Sequence, residues 1–164
     1  MITDVDADGT GTAKTSATKP GAGEPGVGEP GVAGAGALLP ELVIDVTPTF
    51  VIAAAIATRD FQDVHHDRDR AVERGGKDIF INILTTTGLV QRYVTDWAGP
   101  EVTVRKITIR LGVPCYAGDK LTFSGRVVPA VGEESPAGGC VVEVTGRCSL
   151  GDHVTGTVHI GRAP

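Results

Sequence analysis

The sequence predicts an α+β fold in which an antiparallel sheet wraps around one long central helix. Two observations carry that expectation. Between Asp78 and Trp97 the residues Ile83, Thr87, Val90, Val94 and Trp97 recur at the alternating three- and four-residue steps that line one helix face. Ile81, Leu84, Leu89 and Tyr93 add apolar character on the other faces, and a helix apolar nearly all round has to be enclosed. From Glu101 onward the period shortens to two, in β-branched runs separated by Gly- and Asp-containing turns.

The elements follow in order. Met1 to Pro40 repeats Gly-Glu-Pro-Gly-Val and Gly-Ala-Gly pieces and holds no aromatic residue. Such composition buries too little apolar surface to offset its ordering entropy, so residues 1–40 are expected to be a disordered tail. Its early acids, Asp4, Asp6 and Asp8, and its lack of an apolar run do not fit a secretory signal. Residues 41–164 are expected to form one domain. Leu42 to Val46 reads as a strand, and Thr47-Pro48 as a helix N-cap followed by proline at the first helical position. The Ala-rich run Phe50 to Thr58 continues that helix. Asp67 is placed to cap a short helix through Glu73, ended by Gly75-Gly76, with the alternating charges Asp67 to Arg70 forming a solvated face. The long helix ends at Gly99-Pro100. Val102 and Val104 alternate in one parity, and Ile107, Ile109 and Leu111 in the other, which calls for a bulge near Arg105-Lys106 or burial of both faces. Tyr116 to Asp119 is a turn, Leu121 to Val128 a strand, and Pro129 to Gly139 a loop. Val142, Val144, Cys148 and Leu150 alternate, as do Val154, Val158 and Ile160 after a turn at Gly151-Asp152. His153 and His159 are expected to face solvent or a partner, without a catalytic role.

Composition excludes several function classes. The net charge of −5 argues against nucleic acid as the main partner, because phosphate binding needs clustered Lys and Arg. No apolar stretch approaches the roughly 18 residues of a membrane span. Cys115, Cys140 and Cys148 form no Cys-x-x-Cys pair, so reduced thiols in the cytoplasm and no metal site are expected.

The stretch with chemical content is Arg59 to His65. It places Asp60 and His65 five positions apart directly after the Ala-rich helix. On a continuous helix such residues lie about 140° apart around the axis and cannot address one small molecule. A turn has to carry them, and a turn can aim both at one point. A carboxylate and a neutral imidazole converging on one water form a general-base site; a polar turn between helices is the plain alternative.

These residues resemble the MaoC-like enoyl-CoA hydratases, which have the hot-dog fold. The motif of that family reads Asp-x-Asn-Pro-(Leu/Ile/Val)-His, with a small residue following after five more. Here Asp60-Phe61-Gln62-Asp63-Val64-His65 is followed at that spacing by Ala71, with Gln62 in place of Asn and Asp63 in place of Pro. Pro114 to Asp119 resembles a turn the family places between long strands. Thr58 to Asp67, Lys77 to Phe80 and Gly88 to Pro100 together resemble a narrower group, the small subunit of the steroid side-chain enoyl-CoA hydratase of bacterial cholesterol degradation. The resemblance covers residues 41–161. It implies an enoyl-CoA hydratase in which Asp60 and His65 jointly activate water. It also implies an oxyanion donor at the start of the enclosed helix. Aligning Asp78-Ile79-Phe80 with the family's His-Gly-Met segment places the backbone amide of Asn82 there, beside the reading of Asn82 as an ordinary helix cap. No cofactor is implied beyond the CoA thioester substrate. The implied partners are a larger MaoC-like subunit with a DUF35-type region, in a heterotetramer, and the downstream aldolase. A non-catalytic hot-dog scaffold and an acyl-CoA thioesterase are the competing functions, since fold alone does not separate them.

Overall fold

In the computed structural model, residues 34–129 and 139–162 are described. The expected tail up to residue 33 and most of the expected loop after Pro129 lie outside them. The elements are β1 (Leu38–Asp45), α1 (Pro48–Ala57), a 3-10 turn (Asp63–His65), α2 (Arg68–Glu73), α3 (Ile83–Ala98), β2 (Val102–Leu111), β3 (Lys120–Val128), β4 (Cys140–Cys148) and β5 (Gly151–Arg162). The strands form one antiparallel sheet in the order β1-β3-β4-β5-β2. Helix α3 packs on it, touching β1, β2, β4 and β5. This is the expected α+β arrangement.

The core lies between α3 and the sheet. Val90 and Val94 from the helix meet Leu121, Phe123, Val142 and Val158 from the strands, all fully buried. Tyr93 stacks on Phe123 with ring centroids 5.7 Å apart and planes 25° apart. Gly146 of β4 makes that layer possible, because a Cβ there would stand 2.7 Å from Val154 Cγ1 and 2.9 Å from Phe123 Cε1. The expected bulge is present as a register shift between Val104 and Lys106 where β2 pairs with β5.

Several expectations are corrected. The first strand starts at Leu38, ahead of the expected Leu42 and inside the segment assigned to the tail. Pro40 is tolerated because β1 is an edge strand and its register shifts between Leu39 and Leu42, where no ladder N–H is needed. The long helix starts at Ile83 rather than Asp78. Ile79 and Ile81 instead alternate inward from an extended segment, in which Ile81 N–H donates to Cys115 O and Ala117 N–H to Ile79 O. The helix is also not enclosed all round. Its buried residues are Thr85, Thr86, Leu89, Val90, Tyr93, Val94 and Ala98, while Ile83 and Leu84 are about half exposed. Leu150 is exposed in the β4–β5 turn instead of continuing the alternation, and Gly151 opens β5 at φ 128°. His153, expected at the surface, is buried.

Candidate active site

Asp60 and His65 are delivered by the way α1 ends. Thr47 caps its start, its hydroxyl accepting from Phe50 N–H at 3.1 Å, and Pro48 opens it, as expected. At its far end Arg59 N–H donates to Ile56 O at 3.0 Å and Asp60 N–H to Ala55 O at 2.9 Å. That bond pair is the Schellman closure, which needs a left-handed residue at its corner. Arg59 takes that position at φ 55°, among the described residues the one non-glycine with positive φ. The same closure ends α2, where Gly75 N–H donates to Val72 O and Gly76 N–H to Ala71 O, and there a glycine holds the corner at φ 88°. The corner at Arg59 throws Asp60 off the α1 axis. The 3-10 turn then brings His65 back toward it.

The two side chains converge, with His65 Nε2 3.4 Å from Asp60 Oδ2. His65 is buried, and its Nδ1 lies 2.7 Å from Phe80 O. A carbonyl only accepts, so Nδ1 carries a ring proton, and whenever the ring is neutral Nε2 is left as a bare acceptor. Phe80 also holds the ring edge-on, with centroids 5.0 Å apart at 77°. A carboxylate oxygen and an imidazole nitrogen therefore face one point, both as acceptors. A water placed there donates one O–H to each and turns its lone pair outward.

Three neighbours hold Asp60. Asn82 Nδ2 donates to its Oδ2 at 3.0 Å and Gln62 N–H to its Oδ1 at 3.3 Å. His66 Nε2–H donates to its backbone carbonyl at 2.6 Å. Partial burial pushes the Asp60 carboxyl up, but the Asn82 and Gln62 hydrogen bonds, with His65 and His66 nearby, outweigh it. The group settles below its ordinary value and stays ionised at neutral pH.

Asn82 does more than either expectation allowed. Its Oδ1 caps α3 by accepting Thr85 N–H at 2.8 Å, while its Nδ2 donates to both Thr58 Oγ1 at 2.8 Å and Asp60. One side chain thus ties the tip of α3, the end of α1 and the acid together. Sequence reasoning missed this link; the Asn before a helical run marks a cap, but its second partner lies 22 positions away. The cap satisfies Thr85 N–H and leaves those of Ile83 and Leu84 without an intrahelical partner, at the positive end of the helix dipole. Phe61, next to Asp60 in the chain, and Ile83 and Leu84, next to Asn82, are exposed apolar side chains.

Two further groupings lie outside this constellation. A polar groove of about 810 Å³ is lined by Glu41, Lys120, Thr122, Ser124, Thr145 and Arg147. Its β3 residues have the opposite parity to buried Leu121 and Phe123, so it lies on the sheet face turned away from α3. The fold also gathers Cys115, Asp119 and Cys148, with ligand atoms within 4.8 Å of one another, a grouping that linear spacing does not reveal. Here the Asp119 carboxylate serves the turn, accepting Tyr116 N–H at 3.3 Å and the Ser149 hydroxyl at 2.6 Å. Burial pushes the Cys115 thiol far up, reinforced by Cys148 and Asp119 beside it, so it stays protonated. All three cysteines are free.

No family model matches the sequence. The 3-oxo-4,17-pregnadiene-20-carboxyl-CoA hydratase beta subunit of Mycobacterium tuberculosis is 62% identical over 125 residues, covering 76% of this chain and 93% of that protein. A chain in the crystal structure of the ChsH1-ChsH2 complex from Mycobacterium tuberculosis is 58% identical with a TM-score of 0.73, covering 79% of this chain and 98% of that one. The (R)-hydratase from A. caviae involved in PHA biosynthesis shares the fold at 18% identity and a TM-score of 0.67, over 79% and 97% of the two chains.

Proposed function

This chain belongs to the family of the steroid-CoA hydratase beta subunits, MaoC-like hydratases of hot-dog fold, and from that premise we propose that it adds water to the double bond of a steroid side-chain enoyl-CoA. The observation that carries the chemistry is the convergence of Asp60 Oδ2 and bare His65 Nε2 at 3.4 Å beside the tip of α3.

The reaction needs a base and an oxyanion site. Asp60 and His65 hold the water by its two protons. As its oxygen bonds to the β-carbon, one proton passes to the pair. The double-bond electrons move onto the thioester oxygen, which is received by N–H groups at the α3 tip, at Asn82 and the two residues after it. The enolate then collapses, and the proton held by the pair goes to the α-carbon. The sum is water added across the double bond, and atoms and electrons balance with no cofactor beyond the CoA thioester.

The pair is itself largely buried, and its chain neighbours Phe61, Ile83 and Leu84 are exposed and apolar, so in this reading a second subunit completes the space for an acyl group as bulky as a steroid. The partner is a larger MaoC-like subunit with a DUF35-type region, the assembly a heterotetramer, and the downstream aldolase its neighbour in the sequence of reactions. The compartment is the cytoplasm; among the described residues no helix is long and apolar enough to cross a membrane.

The test is co-expression with the larger subunit and assay of the purified complex on a steroid enoyl-CoA. Loss of enoyl absorbance without release of free thiol is the expected result. Thiol release in step with substrate loss identifies a thioesterase. An unchanged enoyl signal overturns the proposal.

A further inference from the structure

His153 stands on β5, far in sequence from Asp60, yet it is buried and fully bonded. Its Nδ1 lies 2.7 Å from Val113 O and its Nε2 lies 2.9 Å from Thr86 Oγ1. Thr86 sits in the first turn of α3, where its hydroxyl is also 3.0 Å from Asn82 O. Asn82 in turn holds Asp60 Oδ2 through its Nδ2. An unbroken chain of hydrogen bonds and covalent links therefore runs from β5 through the α3 tip to the carboxylate.

Proton counting orients it. Val113 O accepts only, so His153 Nδ1 carries a hydrogen. Burial pushes the His153 imidazole down, against the opposing effect of the Val113 hydrogen bond, so the ring is neutral and Nε2 is an acceptor. The Thr86 hydroxyl has one proton and two acceptors in reach. Nε2 of the neutral His153 ring has no hydrogen of its own, so its 2.9 Å contact is a hydrogen bond only when the Thr86 hydroxyl donates to it, while Asn82 O keeps the Thr86 N–H at 3.0 Å. Neutral His153 thus grips the helix tip from the sheet.

We propose that His153 and Thr86 are positioning residues for the Asp60–His65 pair, fixing the first turn of α3 so that Asn82 keeps the Asp60 carboxylate aimed at the shared water. The assignment rests on the hydratase function proposed above, but its structural half is independent of it. Neither side chain touches substrate; both act through Asn82.

The test uses Thr86→Val, which keeps the shape and removes the hydroxyl, and Thr86→Ser, which restores it, each in the complete complex with the larger subunit. Activity and a crystal structure are both read. The expected result for Thr86→Val is a kcat lowered about tenfold with KM within about twofold, in a complex that still assembles, and an Asn82–Asp60 contact lengthened beyond hydrogen-bonding distance. Thr86→Ser is expected to recover kcat to within about twofold and to restore the contact. Unchanged kcat, or an Asn82–Asp60 contact intact in Thr86→Val, overturns the proposal. A loss of activity that only tracks loss of assembled complex does so as well, since that is scaffold damage. If the wild-type complex itself shows no hydration, the hydratase function fails, and the contact in the two variant structures still decides the positioning role.

Discussion

At the scale of single residues, the site is built from acceptors. Phe80 O accepts from His65 Nδ1, and Asn82 and Gln62 donate to Asp60, which leaves Nε2 of a neutral His65 facing Oδ2 as a second acceptor. The depressed Asp60 carboxyl has a consequence for stability. Its folded pKa lies below the ordinary 3.8, so the unfolded chain takes up a proton first on acidification. Asp60 therefore contributes stability that is fully present above the unfolded value and is lost as pH falls through the folded one. Asp60→Asn removes this, so the stability gap between wild type and variant, followed by urea midpoints, is predicted to shrink as pH drops below about 4. Arg59 supplies a second prediction. A side chain at φ 55° carries the left-handed penalty of about 1–2 kcal/mol, and α2 shows the same corner made with Gly75. Arg59→Gly is expected to unfold at the same or a higher urea concentration, and Arg59→Val, with a β-branched residue at the corner, at a lower one.

At the scale of elements, the tip of α3 joins three parts through Asn82. Asn82→Ala removes an N-cap, worth about 0.5–2 kcal/mol, and also frees the Asp60 carboxylate. The variant is predicted to melt earlier and to lose more kcat than the modest stability loss explains. The caps at Thr47 and Asp67 were readable from local residue order, because each accepts from a backbone N–H three positions on, and the bulge after Val104 was one of two readings of the parity switch along β2. The bent connector was readable on the premise that Asp60 and His65 address one point, since a straight helix would set them about 140° apart. The start of α3 was not. Ile79 and Ile81 fit a helical face and an inward-facing extended segment equally well, and what decides is pairing with Cys115 to Ala117, which local periodicity does not contain. His153 was misread because its burial depends on which part of α3 crosses β5. The close layer beneath α3 makes a further prediction. Gly146→Ala puts a methyl 2.7 Å from Val154, and overpacking of that kind costs about 1–3 kcal/mol, visible as a lowered melting temperature.

At the scale of the whole molecule, the chain brings a carboxylate, an imidazole and a helix tip to one place. Exposed Phe61, Ile83 and Leu84 lie in that region, and burying such side chains is what a second subunit or an apolar acyl group accomplishes. The chain purified alone is predicted to hydrate a steroid enoyl-CoA far more slowly than the complex with the proposed partner subunit, measured at equal active-chain concentration. The sheet-around-helix architecture was legible in the change of period after Gly99. The steroid was not; no pattern of apolar residues encodes it, and it enters through likeness to a known subunit.

The most direct measurement is the hydration rate of the assembled complex carrying Asp60→Asn or His65→Ala in this chain, read as loss of enoyl absorbance. A shared water activated by both groups predicts a kcat lowered about 10²–10⁴-fold in each variant, with assembly intact. Wild-type rates in both variants would contradict it.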